Sequence, residues 1–68
     1  MKYAIYCVLD QTIGYLCNKR DGAATIHHPS AVLFDTEIEA TQALVKFEYE
    51  GVEEVPDENE FRNREDTW

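Results

Sequence analysis

The chain has 68 residues, of which 44% are hydrophobic and 12% aromatic, and its net charge is −8. This length allows one domain with a thin core, since so short a chain buries only about 60% of the surface that it exposes when unfolded. The aromatic content is that of a folding chain, because disordered segments are poorer in aromatic and β-branched residues. We therefore expect a single folded domain over residues 1–68.

The charge is unevenly distributed along the chain. Residues 1–34 carry three cations and two acids, whereas residues 35–68 carry three cations and twelve acids. Direct binding to nucleic acid or to an anionic membrane is disfavoured, because both require Lys and Arg counter-charges. The asymmetry predicts either an acidic surface that faces a protein partner or a solvated acidic face that keeps the protein soluble.

The first predicted element is a strand over residues 2–9 (KYAIYCVL), which are rich in aromatic and β-branched residues. Both of its faces are apolar, which is typical of a strand in the middle of a sheet or covered on both sides. Residues 13–18 predict a second strand that pairs with the first as a hairpin.

The register of this hairpin decides how the two cysteines lie. If Leu9 pairs with Tyr15, Cys7 lies opposite Cys17, and a disulfide can form in an oxidising compartment. The other interpretation is that both are reduced and buried as small hydrophobic residues, since two cysteines are too few for a disulfide framework.

Shorter extended segments follow the hairpin. Residues 19–22 (KRDG) are a turn signal. Residues 24–28 predict a short strand that Pro29 interrupts, and residues 31–34 continue as a strand or an extended segment. Residues 52–55 (VEEV) predict a short edge strand whose outward glutamates protect the edge.

The clearest local signal is a capped helix. Thr36 is followed three residues later by Glu39, which is a capping box. Gly51 favours a left-handed stop after the helix, so we expect a helix over about residues 37–50. The predicted fold class is therefore α+β, an antiparallel sheet of three or four strands with this one helix packed against it and an acidic C-terminal segment.

The predicted helix carries two apolar stripes at 100° per residue. The first stripe consists of Ala40, Ala43, Leu44 and Phe47, and the second, on nearly the opposite side, consists of Ile38, Val45 and Tyr49. One stripe packs on the sheet, and the other requires a second cover. The sequence leaves three candidates for it, namely the C-terminal segment, a second subunit or a target protein.

Residues 57–68 (DENEFRNREDTW) form an acidic C-terminal tail with two large aromatic residues, Phe61 and Trp68. Two interpretations are open. Either the aromatic side chains dock the tail on the domain, or the tail docks on a partner, because aromatic residues are enriched in binding cores.

Catalytic and metal-binding patterns are weak. His27 and His28 are adjacent, which places them on opposite faces of a strand, and no Cys-x-x-Cys or His-x₃-His spacing occurs. The three glycines are isolated, so no phosphate loop is predicted. We expect no enzyme, no cofactor and no metal. A minor enzyme or metal protein built on Cys7, Cys17 and these histidines is a third, less favoured hypothesis, since the chain has little bulk for a cleft.

The location expected from the sequence is cytoplasmic. No run approaches the ~20 apolar residues that span a bilayer. The apolar run that ends at Leu9 has no small-residue cleavage site after it, as a signal peptide would have.

The acids of the second half suggest a specific function. Closely spaced carboxylates on a rigid helix and the segment after it can mimic duplex DNA, which carries about one charge per 1.7 Å of axis. The candidates for this role are Glu37, Glu48, Glu50, Glu53, Glu54, Asp57, Glu58 and Glu60. Apolar anchors of the same contact are expected at Ile38, Val45, Tyr49 and Trp68.

In size, charge and the strand-to-capped-helix layout at Phe34-Asp35-Thr36-Glu37, the chain resembles small acidic phage-encoded inhibitors, including anti-CRISPR proteins and other DNA mimics. The resemblance implies an inhibitor that occupies a basic, nucleic-acid-binding surface of a larger protein in the host cytoplasm. The alternative hypothesis is a non-enzymatic interaction module that homodimerises through the second apolar stripe.

Overall fold

A computed structural model describes residues 1–64 of the chain. Its elements in order are β1 (Lys2–Leu9), β2 (Thr12–Leu16), β3 (Ala24–Thr25), a 3₁₀ turn (His28–Ser30), α1 (Glu37–Phe47), β4 (Gly51–Val55) and α2 (Glu58–Arg62). The strands form one antiparallel sheet in the order β3-β2-β1-β4. The predicted α+β class, an antiparallel sheet with a packed helix, is confirmed, and β4 is an edge strand as expected.

β1 is a central strand that is buried on both faces. Its successive residues Ala4 and Ile5 are each 0% exposed, and successive side chains of a strand point to opposite faces. The prediction of a middle strand with two apolar faces is therefore confirmed. A strand of this kind requires that both faces of the sheet be covered.

Helix α1 covers the first face through the predicted inner stripe. Ala40 is fully buried in one cluster with Ile5, Leu16 and Phe34, and the partly buried Ala43, Leu44 and Phe47 pack against that cluster. The predicted N-cap is also confirmed, since the side chain of Thr36 accepts a hydrogen bond from the Glu39 backbone N–H at 3.2 Å.

The predicted C-terminus of this helix is wrong. The helix ends at Phe47, and Glu48 rather than Gly51 adopts the left-handed conformation, with φ 59°. Gly51 instead begins β4, where it pairs with Tyr6. The Tyr6 ring lies against it in the space that a Cβ would occupy, so glycine is required here for packing and not for a helix stop.

The hairpin register differs from the one that would bring the cysteines together. β1 and β2 are joined by the two residues Asp10 and Gln11, both with positive φ, which is the geometry of a type I′ turn. This short turn sets Cys7 opposite Gly14, and both Cys7 and Cys17 are free. The register that would place Cys7 opposite Cys17 is therefore wrong.

The segment after β3 is less regular than predicted. The strand expected over residues 24–28 stops at Thr25, and Pro29 lies in the first turn of the 3₁₀ segment, where its missing N–H costs nothing. Residues 31–34 are extended but form no strand. Phe34 is held by a single bridge to Tyr3, with N–H···O distances of 2.9 and 2.7 Å.

Helix α2, which was not predicted from the sequence, covers the second face of the sheet. Asp57 caps this helix by accepting from the Glu60 N–H at 3.2 Å. Phe61 is 1% exposed and lies in a second buried cluster with Ala4, Tyr15 and Val55. Phe61 thus docks the first part of the acidic tail on the domain, whereas Trp68 lies outside the described residues.

We predict that Phe61→Ala lowers the free energy of unfolding by about 3–5 kcal/mol, because it empties the centre of the second cluster. The matched control is Ile38→Ala, which also truncates a helical side chain but at a site that is 72% exposed. The control should change stability by less than about 0.5 kcal/mol. Urea unfolding followed by circular dichroism measures both. Equal losses in the two variants would contradict the assignment of Phe61 to the core.

Candidate partner-binding surface

The acidic residues proposed for binding lie on both sides of the edge strand β4. Glu53 and Glu54 are successive residues of this strand, so their side chains point to opposite faces of the sheet. Glu54 pairs with Tyr3 and shares the face that α1 covers. Glu53 pairs with Ala4 and shares the face that α2 covers.

Two further acids lie on the side of α1 that borders β4. Glu48 directly follows the last residue of the helix, eleven residues after Glu37, so the Cα atoms of the two lie within about 20° of one another around the axis and about 16 Å apart along it. The opposite side of α1, with Glu39 and Lys46, borders a groove that reaches Lys19 beyond β2. Since β2 and β4 flank β1 on opposite sides, the Glu37 side faces β4.

Glu37, Glu48 and Glu54 therefore lie on the same side of the domain, and we call them the acidic flank. All three are exposed, and none forms an ion pair within residues 1–64. Their charge is directed at solvent. Of the predicted acids, these three lie together on one side of the domain and take part in none of the ion pairs within residues 1–64.

An exposed apolar pair adjoins the acidic flank on the outer surface of α1. Ile38 is 72% exposed and Val45 is 68% exposed. The two residues are seven apart, which returns to the same side of the helix after two turns. α2, which lies in the described part of the tail, packs on the other face of the sheet and leaves this pair uncovered.

The apolar stripe predicted from the sequence also included Tyr49, and this assignment is wrong. Tyr49 follows the end of the helix, is partly buried against the cluster that contains Ile5, and donates its hydroxyl hydrogen to the Gly22 carbonyl at 2.7 Å. The left-handed residue Glu48 turns the chain back toward the sheet, so the helical period no longer applies at Tyr49.

Three of the remaining acids stabilise the fold. Glu53 accepts from the Tyr15 hydroxyl at 2.7 Å and pairs with the Arg64 guanidinium at 2.6 Å. Glu58 pairs with Arg62 at 3.0 Å, and Asp57 caps α2. These contacts lie on the α2 side of the sheet.

Glu50 and Glu60 complete the predicted set. The Glu50 carboxylate accepts from the Val8 N–H at 2.5 Å. Because β4 begins opposite Tyr6, the carboxylate satisfies the edge of β1 where β4 no longer pairs with it. Glu60 is exposed on α2, across the sheet from the acidic flank.

An ion pair that the residue pattern does not predict fastens the start of α1 to β1. Lys2 and Asp35 are in contact, and this contact raises the pKa of the Lys2 ammonium and lowers that of the Asp35 carboxyl. Nothing in a residue pattern marks partners that are this far apart in sequence. The pair leaves Asp35 unable to contribute a free charge beside Glu37.

Residues 1–64 contain no group of three or more His, Cys, Asp or Glu side chains arranged to hold a metal ion. His28 packs with the Tyr15 and Phe61 rings, with centroids 5.1 Å apart. In the same part of the chain, no helix has the length and apolar character needed to cross a membrane.

Comparisons with protein-family models, with curated proteins and with solved structures find no match to the chain.

Glu53→Gln should lower the pKa of Tyr15. Burial and the hydrogen bond to Glu53 both raise this pKa well above its ordinary value of 10, burial being the larger cause. The substitution removes the carboxylate's share and leaves the burial, so the fall should be partial. Tyrosine ring-carbon NMR across alkaline pH measures it.

Glu54→Gln is the matched control, since it removes the same charge from the next residue on the opposite face. It should leave the Tyr15 titration unchanged. In the wild type, the pKa of Tyr15 is raised by folding, so the protonated hydroxyl and its hydrogen bond to Glu53 stabilise the fold below about pH 10. This stabilisation is lost progressively as the pH rises from that value toward the pKa of Tyr15 in the folded protein. An unchanged titration in Glu53→Gln would contradict the described contact.

Proposed function

We propose that this protein is a small inhibitor that binds a basic, nucleic-acid-binding surface of a larger protein. The observation that carries the proposal is the acidic flank. Glu37, Glu48 and Glu54 are exposed carboxylates that form no ion pair within residues 1–64, and they lie on one side of a helix and strand that pack together.

The rigidity of this scaffold supports the proposal. α1 is capped at Thr36 and fastened through Ala40 to the buried face of β1, and β4 is paired along its whole length with β1. Carboxylates held in this way lose little backbone freedom on binding, which lowers the entropic cost of association. A flexible acidic tail would lack this advantage.

Charge alone is too sparse to explain tight binding. Duplex DNA carries about one charge per 1.7 Å, whereas Glu37 and Glu48 are about 16 Å apart along the helix axis. The apolar pair, Ile38 and Val45, supplies the surface whose burial stabilises a complex. In the proposed contact, the acids steer and orient the encounter, and the two aliphatic side chains anchor it.

The alternative function is homodimerisation through the same apolar pair. The exposure of Ile38 and Val45 favours it. The net charge of −8 opposes it, because two copies meeting at this face bring their acidic flanks together. A basic partner removes this repulsion, and for this reason we favour the inhibitor.

A bacterial lysate passed over the immobilised protein at low and at high salt tests the proposal. The wild type should retain a basic nucleic-acid-binding protein at low salt and release it at high salt, because salt screens charge-driven association. The triple variant Glu37→Gln, Glu48→Gln, Glu54→Gln should bind that protein at least about tenfold more weakly, at roughly 0.5 kcal/mol for each charge.

The control triple variant is Asp10→Asn, Asp21→Asn, Glu60→Gln, which raises the net charge equally from sites away from the acidic flank. It should bind like the wild type. Equal weakening by both triple variants would show that total charge matters and the flank does not. Capture that is insensitive to salt would contradict binding by charge mimicry.

The choice between inhibitor and homodimer rests on sedimentation velocity. We expect the wild type to remain a monomer over micromolar concentrations. A concentration-dependent dimer that Val45→Glu abolishes, with the fold intact by circular dichroism, would favour the homodimer instead.

A further inference from the structure

A groove runs along the side of α1 opposite the acidic flank. Its volume is about 290 Å³, close to the lower limit of the ~300–1,000 Å³ of typical ligand sites. It lies between α1 and the chain just after β2. Its lining residues are Lys19, Phe34, Glu39, Gln42, Ala43, Lys46 and Phe47.

The floor of the groove is aromatic and apolar. Phe34 is 6% exposed and fixed by its backbone bridge to Tyr3. The partly buried Phe47 and Ala43 belong to the inner stripe of α1 and pack on the same cluster. A ligand with an apolar body would therefore meet a surface that the core of the domain holds in place.

The rim of the groove is positively charged, in contrast to the rest of the protein. The ammonium groups of Lys19 and Lys46 each lie 5.2 Å from a ring centroid, that of Phe34 and that of Phe47 respectively. Neither lysine forms an ion pair with a carboxylate within residues 1–64, although acids outnumber cations in the chain by 14 to 6.

One acid lines the groove, and the capping box engages it. Glu39 accepts a hydrogen bond from the Thr36 hydroxyl at 3.1 Å. The Asp35 carboxylate, which also interacts electrostatically with Lys19, is outside the lining and pairs with Lys2. The groove is a site with an aromatic floor and an excess of positive charge, which are the features that a small amphipathic anion requires.

We propose that this groove binds a small amphipathic carboxylate. The apolar body of the ligand packs on Phe34 and Phe47, and its carboxylate binds the ammonium groups of Lys19 and Lys46. At about 30 Å³ for each water-sized group, the volume admits about ten non-hydrogen atoms. The site is independent of the acidic flank, so it stands or falls separately from the proposed inhibitor function.

Phenylacetate is a suitable probe, since it has an aromatic body and one carboxylate. Titration into the isotope-labelled protein should give saturable NMR shifts at Ala43, Phe34 and Phe47, with a dissociation constant on the order of 1 mM for so small a molecule. Phenylacetamide, which has the same body without the charge, should bind at least tenfold more weakly. Acetate, which has the charge alone, should cause no saturable shift.

The double variant Lys19→Gln, Lys46→Gln should lower the affinity for phenylacetate at least tenfold. The control is Arg20→Gln, which removes one charge from the exposed neighbour of Lys19 outside the groove and should change affinity less than twofold. Absence of saturable shifts in the wild type, or equal binding of the neutral amide, would overturn the proposal. Equal weakening by Arg20→Gln and by Lys19→Gln or Lys46→Gln alone would also overturn the proposal. Such a result would indicate that any nearby cation attracts the ligand.

Discussion

The burial of β1 on both faces is the constraint on which the rest of the structure depends. Ala4 and Ile5 are adjacent and fully buried, so the sheet needs a cover on each side. A 68-residue chain has few elements for this purpose, and it uses α1 on one face and the short α2 on the other. Because α2 packs on that second face, no part of residues 1–64 covers the exposed pair Ile38 and Val45 on the outer surface of α1, and the proposed binding surface follows from the way the core is closed.

The same division separates structural charge from available charge. On the α2 side, Glu53 and Glu58 pair with arginines and hold the tail segment in place. On the α1 side, Glu37 and Glu48 flank exposed aliphatic residues and have no such partner within residues 1–64. A net charge read from the sequence counts both groups equally, whereas only the second group is available to the partner that we propose.

Local chemistry made the sheet and α1 predictable from the sequence. Runs of aromatic and β-branched residues and the capping box at Thr36 identify elements through short-range interactions alone. The predictions that failed, the end of α1 and the absence of a second helix, depend on contacts between residues of different elements. Glu48 ends the helix in a conformation that favours glycine, because the next residue, Tyr49, gains burial and a hydrogen bond to Gly22. α2 was missed although Asp57 and Glu60 have capping-box spacing, because its single buried anchor, Phe61, gives no periodicity.

The position of Phe61 tests the central claim most directly, because it decides which surface the tail covers. In a nuclear Overhauser spectrum of the full chain, the Phe61 ring should contact Ala4 and Tyr15, while Ala40 contacts Ile5. Both sets of contacts in one sample would establish that the two helices cover opposite faces of the sheet and that α2 does not cover the outer surface of α1. Contacts from Phe61 to Ile38 or Val45 would contradict the account, since the tail would then occupy the surface proposed for the partner.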